Sequence, residues 1–148
     1  MRVFEIMSEP VHIVKQNLTV ADARALMRQN NVHHLLVADD AGPVGVISAR
    51  DAPAPLQSAR LFVSDVMSTP VVTIEPEAPV SKAANIMRGR SIGSLIVKKG
   101  ERVVGIVTVS DLLDLIGRGA ARQPKRKARP ELHHRVPHTK RHRTGGSW

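Results

Sequence analysis

The chain has 148 residues, 42% hydrophobic, 24% charged and 2% aromatic, enough for one ordinary domain or two small ones. It has no cysteine, which excludes disulfides, thiol chemistry and Cys-based zinc sites and makes a reducing cytoplasm the expected location. The net charge is +9, but ten of the 22 Lys+Arg and one of the 13 acids, Glu131, fall between Arg118 and Trp148, so the residues before them carry twelve of each sign.

No membrane is expected as a partner: no apolar run approaches the about twenty residues of a span. Met1–Pro10 also lacks the charged-then-apolar layout of a signal peptide. In chain order, the first feature is MSEPV (Met7–Val11), whose proline favours extended backbone into a short β-like run, Val11–Val14. Thr19 followed by Asp22 is an N-terminal capping pattern, and Val20, Ala23, Leu26 and Met27 recur at helical spacing. A strand is expected around His34–Ala38, a turn at Asp39-Asp40-Ala41-Gly42, and a second strand from Val44 to Ser48. That strand runs into GVISARD (Gly45–Asp51). Pro53 fits a first helical turn and Pro55 cuts such a helix short, so the Pro/Ala-rich stretch to about Arg60 reads as a connector.

The pattern then repeats sixty positions later without a gap. MSTPV (Met67–Val71) matches MSEPV, and a β-like run comes next over Val71–Ile74. Pro79 suits a helix start, and Val80, Ala83, Ile86 and Met87 repeat the stripe. Strands are expected at Ser94–Lys98 and Val103–Thr108, around a turn at Lys98–Glu101. GIVTVSD (Gly105–Asp111) matches GVISARD, and a closing helix carries Leu112, Leu113, Leu115 and Ile116 and ends at Gly117. A sixty-residue unit is marginal alone, because it buries too little of its surface. Two packed face to face solve that problem. The expected fold is α/β: tandem β-α-β-β-α repeats with pseudo-twofold symmetry, short sheets covered by helices, and a shared cleft. The boundaries are residues 1–60, 61–118 and a basic tail at 119–148.

The repeated phrase has chemistry of its own. A strand that turns into a helix presents free N–H groups and a favourable dipole to an anion. Ser48 or Thr108 adds a hydroxyl, Asp51 or Asp111 suits two ribose hydroxyls, and Gly45 and Gly105 suit close backbone approach. Arg50 can pair with phosphate oxygens, whereas the second repeat has Ser110 there. The same S-x-x-D and T-x-x-D spacing is also an ordinary helix cap, worth about 0.5–2 kcal/mol and binding nothing. On the middle strand, His33-His34 stand where the second repeat has Gly93-Ser94. Facing the cleft, these imidazoles would donate to phosphate or block one site; elsewhere they are ordinary strand histidines.

These residues together resemble the CBS-domain pair, also called a Bateman module. The resemblance covers Met1 to about Gly117. It rests on MSxPV, the Met-bearing helix, the LLV and LIV strands and the G-h-h-S/T-x-x-D ending, each present twice in order. It implies an adenine nucleotide such as AMP, ADP or ATP in the cleft between repeats, with a dinucleotide or S-adenosylmethionine as other candidates. It also implies that Ser48, Asp51, Thr108 and Asp111 contact phosphate and ribose, and that backbone near Val11 and Val71 reads adenine. Homodimerisation through exposed helical faces is expected, with a separate effector protein reading the ligand-induced change. No G-x-S-x-G, Walker A loop, H-E-x-x-H or Gly-rich dinucleotide fingerprint is present, so a non-enzymatic regulatory module without a catalytic cofactor is expected.

The tail has no sustained apolar periodicity and is expected to be disordered. Lys125, Arg126, Lys127, Arg129, Lys140, Arg141 and Arg143 suit RNA, DNA or another polyanion, or simply keep the terminus soluble. A nucleic-acid-associated protein that uses the other residues to dimerise is therefore the alternative function. His134, His138 and His142 share helical spacing, but Pro137 and the neighbouring cations argue against a metal site.

Overall fold

The computed structural model describes residues 1–52 and 59–118; every candidate tail residue, from Lys125 to Arg143, lies outside them, as does the three-histidine pattern. The first repeat holds α1 (Val3–Ile6), β1 (Ile13–Val14), α2 (Val20–Asn30), β2 (His34–Asp39) and β3 (Gly42–Ser48), with one 3-10 turn after it over Ala49–Asp51. The second holds α3 (Val63–Val66), β4 (Thr73–Ile74), α4 (Val80–Arg90), β5 (Ser94–Lys99), β6 (Arg102–Thr108) and α5 (Val109–Arg118). The α/β class and the duplicated three-stranded sheets are as the repeat predicts.

The chain divides into two compact units, and neither coincides with a sequence repeat. One unit is His12–Val71. Its sheet has the order β1-β2-β3, with β1 parallel and β3 antiparallel to β2. Thr19 Oγ accepts the Asp22 N–H at 3.1 Å, so the capping pattern starts α2 where the sequence placed it. Asn31 ends the helix in the left-handed region at φ 55° and donates back to Met27 and Arg28 carbonyls. Val20, Ala23 and Met27 then meet Leu35, Val37 and Ile47 in one apolar cluster. The segment around α3 closes this unit: Val63 is fully buried, its N–H donates to the Leu18 carbonyl at 2.8 Å, and Ser68 exchanges two backbone bonds with Val46.

Among the described residues, the other unit joins Met1–Val11 to residues 72–118. Its sheet has the order β4-β5-β6 with the same directions. Its core gathers Ala83 and Met87 of α4 with Leu95, Val97 and Val107, and Leu112 and Leu115 of α5 pack against it. Here α1 does what α3 does in the first unit. Val3, Ile6 and Met7 enter the core, the Val3 and Phe4 N–H groups donate to the Ala78 and Pro76 carbonyls, and Ser8 pairs with Ile106 through bonds of 2.8 and 3.1 Å. This unit is thus discontinuous in sequence.

One local expectation is corrected. α5 does not end at Gly117 but runs to Arg118. A side chain at Gly117 would meet open space, and an Arg118–Asp114 ion pair of 3.0 Å spans the last turn, so that glycine terminates nothing. Among the described residues, no helix is long and apolar enough to cross a membrane and no group of three ligating side chains suits a metal ion.

Candidate functional site

The two glycines of the repeated phrase show what the close approach there is for. A Cβ on Gly45 would lie 2.6 Å from Met67 Sδ and 3.0 Å from the Ser68 carbonyl oxygen. A Cβ on Gly105 would lie 2.5 Å from Met7 Sδ and 3.1 Å from the Ser8 carbonyl oxygen. Each glycine therefore makes a notch in the last strand, and the Met-Ser pair of an MSxPV segment fills it. Both glycines are buried, and what approaches each is a Met side chain of this same chain together with the next residue's carbonyl oxygen.

Beyond each notch the strand delivers its hydroxyl residue. Ladder register sets Ser48 opposite His34, and Thr108 opposite Ser94. Directly paired residues share a sheet face, so the His34 imidazole and the Ser48 hydroxyl sit side by side, and in the other unit two hydroxyls do. The entry to β2 is tied down by the Ala49 N–H, which donates to the His33 carbonyl at 2.8 Å; Val109 does the same for Gly93 at 3.1 Å. Corresponding positions in the two units are therefore held alike.

The aspartates are not held alike. Asp111 Oδ2 accepts the Thr108 N–H at 2.8 Å and the Thr108 hydroxyl at 3.2 Å, while Thr108 Oγ1 accepts the Asp111 N–H at 3.2 Å. That reciprocal pair is a capping box at the start of α5. Asp111 Oδ1 additionally accepts the Ser8 hydroxyl at 3.4 Å. In the His12–Val71 unit, Asp51 Oδ2 accepts the Ser48 hydroxyl at 3.0 Å, and Ser48 Oγ accepts the Asp51 N–H at 3.3 Å. Asp51 is exposed, and its other carboxylate oxygen has no hydrogen-bond partner among the described residues. Arg50 is exposed beside it, as Ser110 is beside Asp111.

The imidazoles add to this end of the first repeat. His33 is exposed and His34 is half-buried. Burial holds the His34 pKa below its ordinary value; the charges of His33 and Arg50 push it the same way, and Asp51 opposes them. His12, whose carbonyl accepts the Leu36 N–H at 2.9 Å, also titrates low because of burial. Val11 and Val71 are half-buried in the segments that lead into β1 and β4, and no hydrogen bond engages their backbone among the described residues.

What the sequence did not reveal is Ser8. Its place in MSEPV marks it as part of a repeated phrase, but nothing local says that it reaches an aspartate 103 positions away.

The CBS domain family model matches this chain twice, over residues 3–52 and 63–118. A CBS domain-containing protein of Dictyostelium discoideum is 37% identical over 129 residues, covering 76% of this chain and 88% of that protein. A homoserine O-acetyltransferase of Methanohalobium evestigatum is 31% identical over 116 residues, covering 77% of this chain and 24% of the enzyme. The chain spans only 24–32% of the first curated relatives it matches. Among solved structures, the CBS domain pair of protein MJ0100, in complex with 5′-methylthioadenosine and S-adenosyl-L-methionine, is 29% identical. It superposes with a TM-score of 0.70 over 80% of this chain and 97% of that one.

Proposed function

The chain belongs to the CBS-domain family, and on that premise we propose that it is a regulatory module that binds an adenosine-derived ligand at the first repeat's motif and passes the change to a partner protein. The observation that carries this reading is the Asp51 carboxylate, which accepts the Ser48 hydroxyl through one oxygen and has no partner on the other among the described residues, with Arg50 exposed next to it in sequence. A carboxylate with accepting capacity left over can take hydrogen bonds from ribose hydroxyls, and an adjacent guanidinium can take phosphate. Asp111 already serves as a cap, so the second repeat's motif is assigned to holding α5 in place. AMP, ADP and ATP are the first candidates. The relative that holds methylthioadenosine and S-adenosylmethionine supports the broader class of adenosine compounds. No catalytic role is proposed, and the acetyltransferase activity of a relative of which the match covers 24% is not carried over.

Transmission requires that the ligand bind two states of the protein with different affinity. A homodimer is part of the proposal. Val109, Leu113 and Ile116 are exposed along α5 while Leu112 and Leu115 pack on the core, so this helix has an apolar stripe left over for a second chain. Dye-monitored thermal shift with AMP, ADP, ATP, NAD and S-adenosylmethionine tests the reading. A ligand at a hundredfold above its Kd stabilises by about 2.7 kcal/mol, which raises Tm visibly. A rise with at least one compound supports the proposal, and no rise with any of them overturns it.

A further inference from the structure

Ladder register puts Ser94 and Thr108 together at one end of the β5–β6 pair and Lys99 and Arg102 at the other. At the Lys99 end lies a cavity of about 590 Å³, lined by Glu75 and Glu77, by Lys82 of α4 and by Lys98 of β5. Ile74 and Ala78, both buried, supply its apolar part. Sites for small molecules commonly measure about 300–1,000 Å³.

The first repeat shows how the space arises. The turns Lys15–Leu18 and Glu75–Ala78 close with the same bond, from the Leu18 N–H to the Lys15 carbonyl at 3.2 Å and from the Ala78 N–H to the Glu75 carbonyl at 3.1 Å. A short helix docks on each turn, the Val63 N–H donating to the Leu18 carbonyl and the Val3 N–H to the Ala78 carbonyl. On this shared frame Leu18 fills the apolar cluster of its unit, whereas Ala78 brings a single methyl to the other. The charges around the turn are exchanged as well. Lys15 and Asp22 stand where the second repeat has Glu75 and Lys82, and Ala38 stands where it has Lys98.

We propose that this cavity binds a free amino acid, whose ammonium meets Glu75 and Glu77 and whose carboxylate meets Lys82 and Lys98. The side chains of Glu75, Glu77 and Lys82 make no hydrogen bond or ion pair among the described residues. Lys98 lies 3.8 Å from Glu101, and its side chain is 23% exposed. A purely anionic ligand would face two carboxylates there, and a purely cationic one two ammonium groups. A small molecule that carries both charges matches both sides. Ile74 and Ala78 give a short apolar side chain a surface to cover. The site does not involve Ser48, Arg50 or Asp51, so it stands independently of the adenosine reading.

A thermal-shift screen of the proteinogenic amino acids, then isothermal titration of the full chain with the best binder, tests the inference. The titration includes that compound's decarboxylated amine and its deaminated acid. The amino acid is expected to bind at least about tenfold tighter than either, the size of effect of a charge-assisted hydrogen bond. Two variants install the first repeat's residues. Lys82→Asp, at an exposed position, should weaken binding at least about tenfold, and Ala78→Leu should abolish it by filling the space. Tm without ligand reports whether each variant folds, and Lys82→Asp decides alone should Ala78→Leu fail to fold. AMP should bind both variants as it binds wild type. No response to any amino acid overturns the inference. So does equal binding of the amine or the acid, or undiminished binding in either folded variant. Joint loss of AMP and the amino acid in a variant would mark a structural role and overturns it too. Wild type that takes an amino acid but not AMP removes the adenosine reading and leaves this site standing.

Discussion

In the His12–Val71 unit the aspartate of the repeated phrase lies exposed on a single 3-10 turn; in the other unit its counterpart is half-buried at the start of a ten-residue helix. Sequence spacing is identical, and so is the ladder register that leads to it. After Asp51 the turn closes at Ala52. After Asp111 come Leu112, Leu113, Leu115 and Ile116, which give a helix an apolar face to pack. Asp111 accepts the Thr108 N–H in the box that starts α5, whereas Asp51 accepts the Ser48 hydroxyl but not its N–H among the described residues. Asp51 keeps one carboxylate oxygen without a hydrogen-bond partner among the described residues.

The MSxPV segments offer the largest break in this comparison. Met7 is fully buried and Met67 is half-buried, although both sit over equivalent glycines. Met7→Ala is expected to cost about 2–5 kcal/mol, as deletion of a buried side chain does. Met67→Ala should cost clearly less. Urea unfolding of both variants checks this ordering, and equal losses would show that the two notches are equally closed.

The glycines sharpen the same contrast from the opposite side. Gly105→Ala places a methyl against a sulfur that the core holds in place, and overpacking of that kind costs about 1–3 kcal/mol. At Gly45 the facing Met67 is half-buried rather than fully buried, and the Ser68 carbonyl stands at 3.0 Å from the added Cβ, as the Ser8 carbonyl does at 3.1 Å at Gly105, so Gly45→Ala is expected to be the milder change, again by chemical denaturation. Adding Met7→Ala to Gly105→Ala should recover part of the loss, since it removes the clashing sulfur.

A smaller effect separates the units by pH. His12 and His34, both in the His12–Val71 unit, have pKa values lowered from 6.5 by burial. As pH falls through 6.5 the unfolded chain takes up these protons before the folded chain does. The stability they contribute is therefore complete above 6.5 and is lost as pH falls through the folded values. Tm should drop on acidification from neutral pH toward 5, by roughly the few degrees expected of modest linkage. The double variant His12→Val, His34→Ser, which carries the second repeat's residues, should show a shallower drop. An unchanged slope would assign the pH dependence to other groups.

Much of this was legible in the chain. Thr19 and Asp22 announce α2 because a cap is a local device, and Asp39 to Gly42 announces a tight turn because glycine at φ 129° is a local demand. The strand spacing of two and the helix spacing of three and four sorted the rest. What escaped were contacts between distant stretches. Val3, Ile6 and Met7 have the spacing of a buried helical turn, yet nothing in that spacing says which sheet they cover, and they cover the one formed by residues 73–108. The glycines were readable as points of close approach, but the approaching group comes from about twenty positions later in one unit and almost a hundred earlier in the other. Gly117 misled because a helix-ending glycine and a tolerated one look the same when side-chain pairs such as Asp114–Arg118 are not yet visible.

The most direct test compares Asp51→Ala with Asp111→Ala by isothermal titration with AMP, alongside Tm in the absence of ligand. The account predicts that Asp51→Ala abolishes binding with stability changed by less than about 0.5 kcal/mol. Asp111→Ala should still bind AMP, while losing about 0.5–2 kcal/mol of stability through its missing cap. The reverse pattern, with binding lost at Asp111 and stability lost at Asp51, would contradict the division of labour on which the account rests.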